Sequence, residues 1–204
     1  MKRFSAAFCS ALLLAGLLAG RASCGISDTI RELIDGPADG AVEISDWKGA
    51  PKTIRSIEIT SFEAEFLLSH GYARREGDRW VSDEAKNARR PRGRYRFTMK
   101  REGEGAAVTA DFEPDNGGRE QFAFAAPISA LDELHKCIVV NGFPEINGFS
   151  RWQSALGEKF RLKVLYASGE KIYAYGEGGS SCACPRDLGC FIELFRELCE
   201  QFAK

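Results

Sequence analysis

Four cysteines crowd together near the C-terminal end as Cys182-Ala183-Cys184-Pro185, Cys190 and Cys199, and two more stand apart at Cys24 and Cys137. The seventh, Cys9, lies in an apolar N-terminal leader. Thiols at this density can oxidise to disulfides, wrap a soft metal or exchange electrons. The spacing Cys-x-Cys-x5-Cys-x8-Cys matches no common zinc knuckle, and no histidine stands beside it. Cys-x-Cys is also not the Cys-x-x-Cys of thiol oxidoreductases. The chemistry expected of Cys24, Cys137, Cys182, Cys184, Cys190 and Cys199 is therefore structural disulfide formation. Residues two apart rarely bridge each other, so Cys182 and Cys184 should reach different partners. The alternative is a redox or metal-binding protein built on residues 182–199. No cofactor is implied.

The second chemical feature is charge. Arg89-Arg90-Pro91-Arg92-Gly93-Arg94-Tyr95-Arg96 lies in a stretch, residues 72–101, that holds 11 bases and 4 acids. Such a patch could hold an anionic partner, whether phospholipid headgroups, a polyanionic wall polymer or a glycan. The plainer reading is a solvated strand face. Arg89, Arg90, Arg92, Arg94 and Arg96 are the residues expected to touch such a partner. Nucleic acid is not expected, because it calls for exposed aromatics between the bases, and Tyr95 and Phe97 alternate inward here.

Nucleophilic catalysis would need a nucleophile, a base and an orienting group. Ser180-Ser181 lies in a glycine-rich loop without Gly-x-Ser-x-Gly, and Tyr175-Gly176-Glu177-Gly178-Gly179 lacks the Lys-Ser/Thr of a phosphate loop. His135 falls on the apolar stripe of a helix and reads as a hydrogen-bonded structural residue, while His70 precedes a glycine turn. No catalytic constellation and no metal site emerge.

These groups must be positioned by α+β structure. Ile54, Ile57, Ile59 and Phe62 suggest a strand, and residues 72–93 read as a long polar loop. Residues 94–101, 106–112 and 120–125 alternate apolar and polar side chains and are joined by tight turns, which predicts a three-stranded meander. Pro127 opens a helix whose stripe is Ile128, Leu131, Leu134, His135 and Ile138, stopped by Asn141-Gly142. Residues 143–157 read as irregular. Phe160, Leu162, Val164 and Tyr166, then residues 171–175, predict a second hairpin. A last helix is expected from about Arg186 to Phe202, with Leu188, Ile192, Phe195, Cys199 and Phe202 buried. The fold class follows: an antiparallel sheet of about five or six strands, two helices on one face, and a C-terminal helix stapled by disulfides.

The leader sets the compartment. Met1-Lys2-Arg3 precedes an apolar run to Gly20, and Gly20 and Ala22 suit the −3 and −1 positions of a signal peptidase site, with cleavage after Ala22. A lipoprotein signal, with Cys24 lipidated, is the rival, although Arg21 stands where that motif wants an aliphatic residue. The domain reading is a signal peptide over 1–22, an N-terminal helix and linker over 23–53, and one α+β domain over 54–204. The leader holds Lys2, Arg3 and Arg21 and no acid, so its loss takes the formal charge from −1 to −4. No later run is long enough to span a bilayer.

One stretch has a likeness. It runs from Asn141-Gly142-Phe143 through Phe160-Arg161-Leu162-Lys163-Val164-Leu165-Tyr166-Ala167-Ser168-Gly169-Glu170-Lys171-Ile172-Tyr173-Ala174-Tyr175-Gly176 to the helix at residues 191–195. It resembles uncharacterised exported proteins and lipoproteins of gut and oral bacteria, in which such a hairpin precedes a C-terminal helix. The resemblance implies a bacterial envelope setting and no known activity. The function expected is that of an exported envelope or secreted protein, a non-catalytic binding or interaction module. It would be periplasmic, secreted or anchored through lipidated Cys24, and its partner would be an anionic envelope component or another envelope protein.

Overall fold

The computed structural model describes residues 50–152 and 157–203. The expected signal peptide, Cys24, and most of the N-terminal helix and linker expected over 23–53 lie outside the described residues.

The alternating stretches form the strands of one large sheet because each has a single apolar face to bury. Tyr95, Phe97 and Met99 of β4 (Gly93–Glu102) are buried, as are Ala106, Val108, Ala110 and Phe112 of β5 (Gly105–Pro114). With β6 (Glu120–Pro127) they make the expected antiparallel meander. β8 (Glu158–Tyr166) and β9 (Lys171–Gly178) make the second hairpin. The two hairpin systems are joined through β1 (Ile59–Leu68), which pairs antiparallel with both β4 and β8.

Three expectations need correction. The first strand runs over 59–68 rather than 54–62. Its buried residues include Phe62, Ala64 and Phe66, while Ile57 is 65% exposed. The isoleucines drew the reading upstream, and the glutamates at 63 and 65 disguised a strand whose outer face is charged. The 72–93 stretch is not a loop: it holds a hairpin, β2 (Ala73–Glu76) with β3 (Arg79–Ser82), and a short helix α1 (Glu84–Arg89). No residue of this hairpin is buried, so it leaves no apolar period to detect. The 143–157 stretch holds a 3-10 turn at Phe143–Ile146 and β7 (Ser150–Trp152). β7 pairs parallel with β9, so the sheet has seven strands, in the order β6-β5-β4-β1-β8-β9-β7, and is mixed rather than antiparallel.

Two helices cover one face of the sheet. α2 (Ser129–Val140) buries Ala130, Leu131, Leu134 and Ile138, and ends as expected at Asn141, followed by left-handed Gly142. α3 (Gly189–Phe202) starts three residues later than expected. Its start is tied to a close approach: a Cβ on Gly189 would collide with the Tyr72 hydroxyl and press on Arg90.

α3 carries the aromatic centre of the core. The Phe195 ring stacks on Phe97 at 4.5 Å, and Phe191 lies 5.0 Å from Phe62 and 4.8 Å from Phe143. Each fully buried phenylalanine contributes about 1.5–3 kcal/mol of transfer free energy. Among the described residues no helix is long and apolar enough to cross a membrane. No two sulfurs there stand at bonding distance, so α3 is held by packing in this structure.

Candidate binding face and the helix-side latch

With α2 and α3 on one side, the other face of the sheet is left open by the described residues, and its charges are ordered by strand. β1 presents Glu63 and Glu65. Its neighbours present bases: Arg94, Arg96 and Lys100 on β4, and Lys159, Arg161 and Lys163 on β8. β5, beyond β4, presents Asp111 and Glu113. Opposite charges therefore face each other across strands, which stabilises the pairing and fixes its register. In one row Asp111 lies opposite Arg96, Arg96 opposite Glu65, and Glu65 opposite Arg161. Arg96 reaches Glu65 at 3.3 Å, and Arg119 holds Asp111 through its Nε at 2.9 Å. The Arg119 hydrogen bond holds the Asp111 carboxyl below its usual range, against a smaller opposing effect of burial.

Two rows lack an acid on β1: the Ser61 row, where Lys100 faces Ser61 and Ala107, and the Leu67 row. Where β1 should offer a third acid it offers Leu67, which lies opposite Arg94 on one side and Lys159 on the other. The row reads Glu113, Arg94, Leu67, Lys159, Glu177 and, on the edge strand, Trp152. Among the described residues no carboxylate lies within ion-pair distance of Arg94 or Lys159. Glu113, Arg94, Leu67, Lys159 and Glu177, together with Glu65, Arg96, Asp111, Arg119 and Glu158, line a depression of about 490 Å³, and Trp152 at the end of the row is 62% exposed. Two cations thus stand two strand spacings apart, about 10 Å, across an apolar floor.

The arginines singled out in the sequence divide between two places. Arg94 and Arg96 belong to the open face, and Arg92 approaches Asp115 at 3.9 Å. Arg89 and Arg90 turn toward α3. The Arg90 guanidinium, 15% exposed, spans Asp187 at 2.6 Å and Glu193 at 2.9 Å, and Arg89 meets Glu193 at 3.4 Å. Lys86 adds a bond of 2.9 Å to Asp187 and lies 4.0 Å from the centre of the Tyr72 ring, and the Tyr72 hydroxyl donates to Asp187. Asp187 also accepts the Gly189 amide, capping the start of α3. Burial works to raise the Asp187 carboxyl, but bonds from Tyr72 and Lys86 and the charge of Arg90 outweigh it and hold it low. The Arg90 hydrogen bond likewise holds Glu193 low. This cluster is a latch joining the β2–β3–α1 segment to α3. Sequence reasoning missed Tyr72, Lys86, Asp187 and Glu193 because the pairs join residues about a hundred positions apart.

Ser69, His70 and Glu158 come together at the end of β1. Ser69 Oγ lies 2.7 Å from His70 Nδ1, Glu158 lies 2.8 Å from the same nitrogen, and Ser69 also bonds Glu158 directly. A hydrolytic triad needs the serine on one ring nitrogen and the carboxylate on the other. Here both share Nδ1, so the serine is not activated. His135 faces Tyr166 edge-on at 5.9 Å, and burial lowers its pKa. Its Nδ1 is buried without a hydrogen-bond partner among the described residues, so the bond expected of it is not seen.

Among the described residues no three His, Cys, Asp or Glu side chains are grouped to hold a metal ion. Cys182 is fully buried, and burial pushes the Cys184 and Cys199 thiols up to about 12 and about 11. Cys137, in the last turn of α2, is half-buried, and Cys190, in the first turn of α3, is buried. No family model matches this chain, and neither a curated protein nor a solved structure does.

Proposed function

We propose that this is a non-catalytic binding module that works outside the cytoplasm and holds an acidic glycan or wall polymer on the open face of its sheet. The observation that carries the reading is the Leu67 row. Arg94 and Lys159 face each other across a leucine, each with an acid, Glu113 or Glu177, on its outer side. Departures from an otherwise consistent local rule concentrate at functional sites. An anionic group over Leu67 would sit about 5 Å from each cation, gaining about 0.8 kcal/mol from each at the dielectric constant of water and several-fold more where the polymer displaces solvent.

The flanking groups argue for a sugar acid rather than a lipid headgroup. Glu113 and Glu177 stand outside the two cations and would accept hydroxyl protons, and Trp152 offers an exposed ring at the end of the row. The leader-like N-terminus and the resemblance of residues 141–195 to exported bacterial proteins support the compartment. There the C-terminal helix would be stapled by a disulfide.

The test is titration with polygalacturonate, with neutral dextran and phosphatidylglycerol vesicles as competing probes. The expected result is salt-sensitive binding to polygalacturonate alone, weakened about 30-fold in R94A/K159A at about 1 kcal/mol per lost cation. R89A/R92A, on the helix side and the loop, should bind as the parent does. Vesicle binding, or equal loss in both variants, would overturn the reading.

A further inference from the structure

The two edges of the sheet are closed off differently. At one, the outward backbone groups of β9 find partners within the molecule. The Tyr173 carbonyl accepts the Gly148 amide at 2.8 Å, and the Tyr173 amide donates to Asn147 Oδ1 at 2.9 Å. Asn147 Nδ2 donates to the Lys171 carbonyl at 2.9 Å, and the Tyr175 amide donates to the Phe149 carbonyl at 2.9 Å. The strand left outermost there, β7, is three residues long. At the other edge β6 runs for eight residues and carries no charge from Gln121 to Ala126. The ladder shows which of its groups point outward. The Asp115 amide bonds the Arg92 carbonyl, and the tight turn at Gly103-Glu104 closes on the Glu102–Gly105 pair. Odd-numbered residues of β5 therefore bond to β4 and even-numbered ones to β6. The partners of those even residues are Glu120, Phe122, Phe124 and Ala126. The amides and carbonyls of Gln121, Ala123 and Ala125 face away from the sheet, and among the described residues these groups have no hydrogen-bond partner.

An open strand edge is a template for another strand, and proteins protect such edges with lysines, prolines, bulges or a very short strand. Between Gln121 and Ala126 β6 has none of these. We propose that β6 pairs antiparallel with β6 of a second copy of this chain, about a two-fold axis through Ala123. The sequence selects this occupant. A two-fold contact must be complementary to itself, and Phe122-Ala123-Phe124 reads the same in both directions. With the axis at Ala123, Gln121 lies opposite the partner's Ala125, and every outward amide and carbonyl of Gln121, Ala123 and Ala125 gains a bond. On the helix side the half-buried Phe122 stands beside the partner's Phe124, in the closer rows that carry no backbone bonds. No charge meets a like charge. Glu120 falls opposite the partner's Ala126 and is held by Arg196, while Arg119 falls opposite the partner's Pro127 and is held by Asp111. An axis normal to the sheet leaves both open faces on the same side, continuous over the seven strands of each copy. The pairing does not depend on what those faces bind.

Sedimentation of the full chain over a concentration series, with no polymer present, tests the pairing, and amide exchange locates it. The parent should form a dimer. A123K sets two lysines against each other on the axis, at an exposed position, and A123P removes an amide that β5 does not use. Both should be monomers with the parent's near-ultraviolet circular dichroism. The Gln121 and Ala125 amides should exchange at least about tenfold more slowly in the dimer than in A123K, whereas Phe122 and Phe124 should be equally protected in both. In the parent alone, protection of Gln121 and Ala125 should rise with protein concentration. A parent that stays monomeric throughout the series would overturn the proposal, as would a dimer that survives both substitutions. Slow exchange at Gln121 and Ala125 in a monomer would also overturn it, by showing that the chain's own N-terminal part fills the edge.

Discussion

Replacing Asp187 with alanine removes the centre of the latch, and the structure gives the size of the loss. The carboxylate accepts from the Tyr72 hydroxyl, Lys86 and Arg90, and caps the Gly189 amide. A lost helix cap costs about 1 kcal/mol. Each hydrogen bond to a charged group would be worth about 1.5–3 kcal/mol if dry. Asp187 and Lys86 are each 32% exposed, so solvent screens part of this, and Arg90 keeps Glu193 as a partner. The net loss for D187A is about 2–3 kcal/mol. In a domain of this size that lowers Tm by about 5–10 °C. Because the folded-state pKa of Asp187 is depressed, its contribution is complete above the unfolded carboxyl value of about 4 and is lost as pH falls through the folded one. Urea unfolding of the parent and D187A from pH 7 downward measures both effects. A deficit below about 0.5 kcal/mol at pH 7 would refute the latch, and one that persists undiminished into acid would refute its electrostatic origin.

Three further outcomes follow from the same structure. F195A should lose about 3–5 kcal/mol in urea unfolding, because its ring is fully buried against Phe97 and Phe62 and no neighbour can fill the gap. G189A should fail to accumulate as folded protein or lose the Tyr72–Asp187 bond, seen as a change in the near-ultraviolet tyrosine signal, since its Cβ meets the Tyr72 hydroxyl. H135Q should flatten the acid side of the stability curve below about pH 6.5. The half-buried imidazole has a lowered pKa, so the unfolded chain takes up its proton first, and stability falls as pH drops from the unfolded value toward the folded one.

The amphipathic elements were legible in the sequence because periodicity records which face is buried. The meander, the second hairpin, α2 and most of α3 all carry that pattern. β2 and β3 were not legible, because their strands bury nothing, and β7 is three exposed residues held by a parallel neighbour. The basic stretch was visible as composition, but its meaning depended on pairing across strands. Arg96 is neutralised by Glu65 from another strand and Arg90 by Asp187 and Glu193 from the far end of the chain, whereas Arg94 lies opposite Glu113 without an ion pair among the described residues. Lys159, which completes the row with Arg94, alternates outward in its strand like many surface lysines. Only the register, set by turns and core packing, places it opposite Leu67.

The most direct test is to map backbone amide shifts by nuclear magnetic resonance as polygalacturonate is added. Shifts concentrated on Leu67, Arg94, Lys159, Glu177 and Trp152, fading as salt is raised, are the predicted result. Shifts gathered instead on α1 and α3, or none at saturating polymer, would contradict the assignment of the open face.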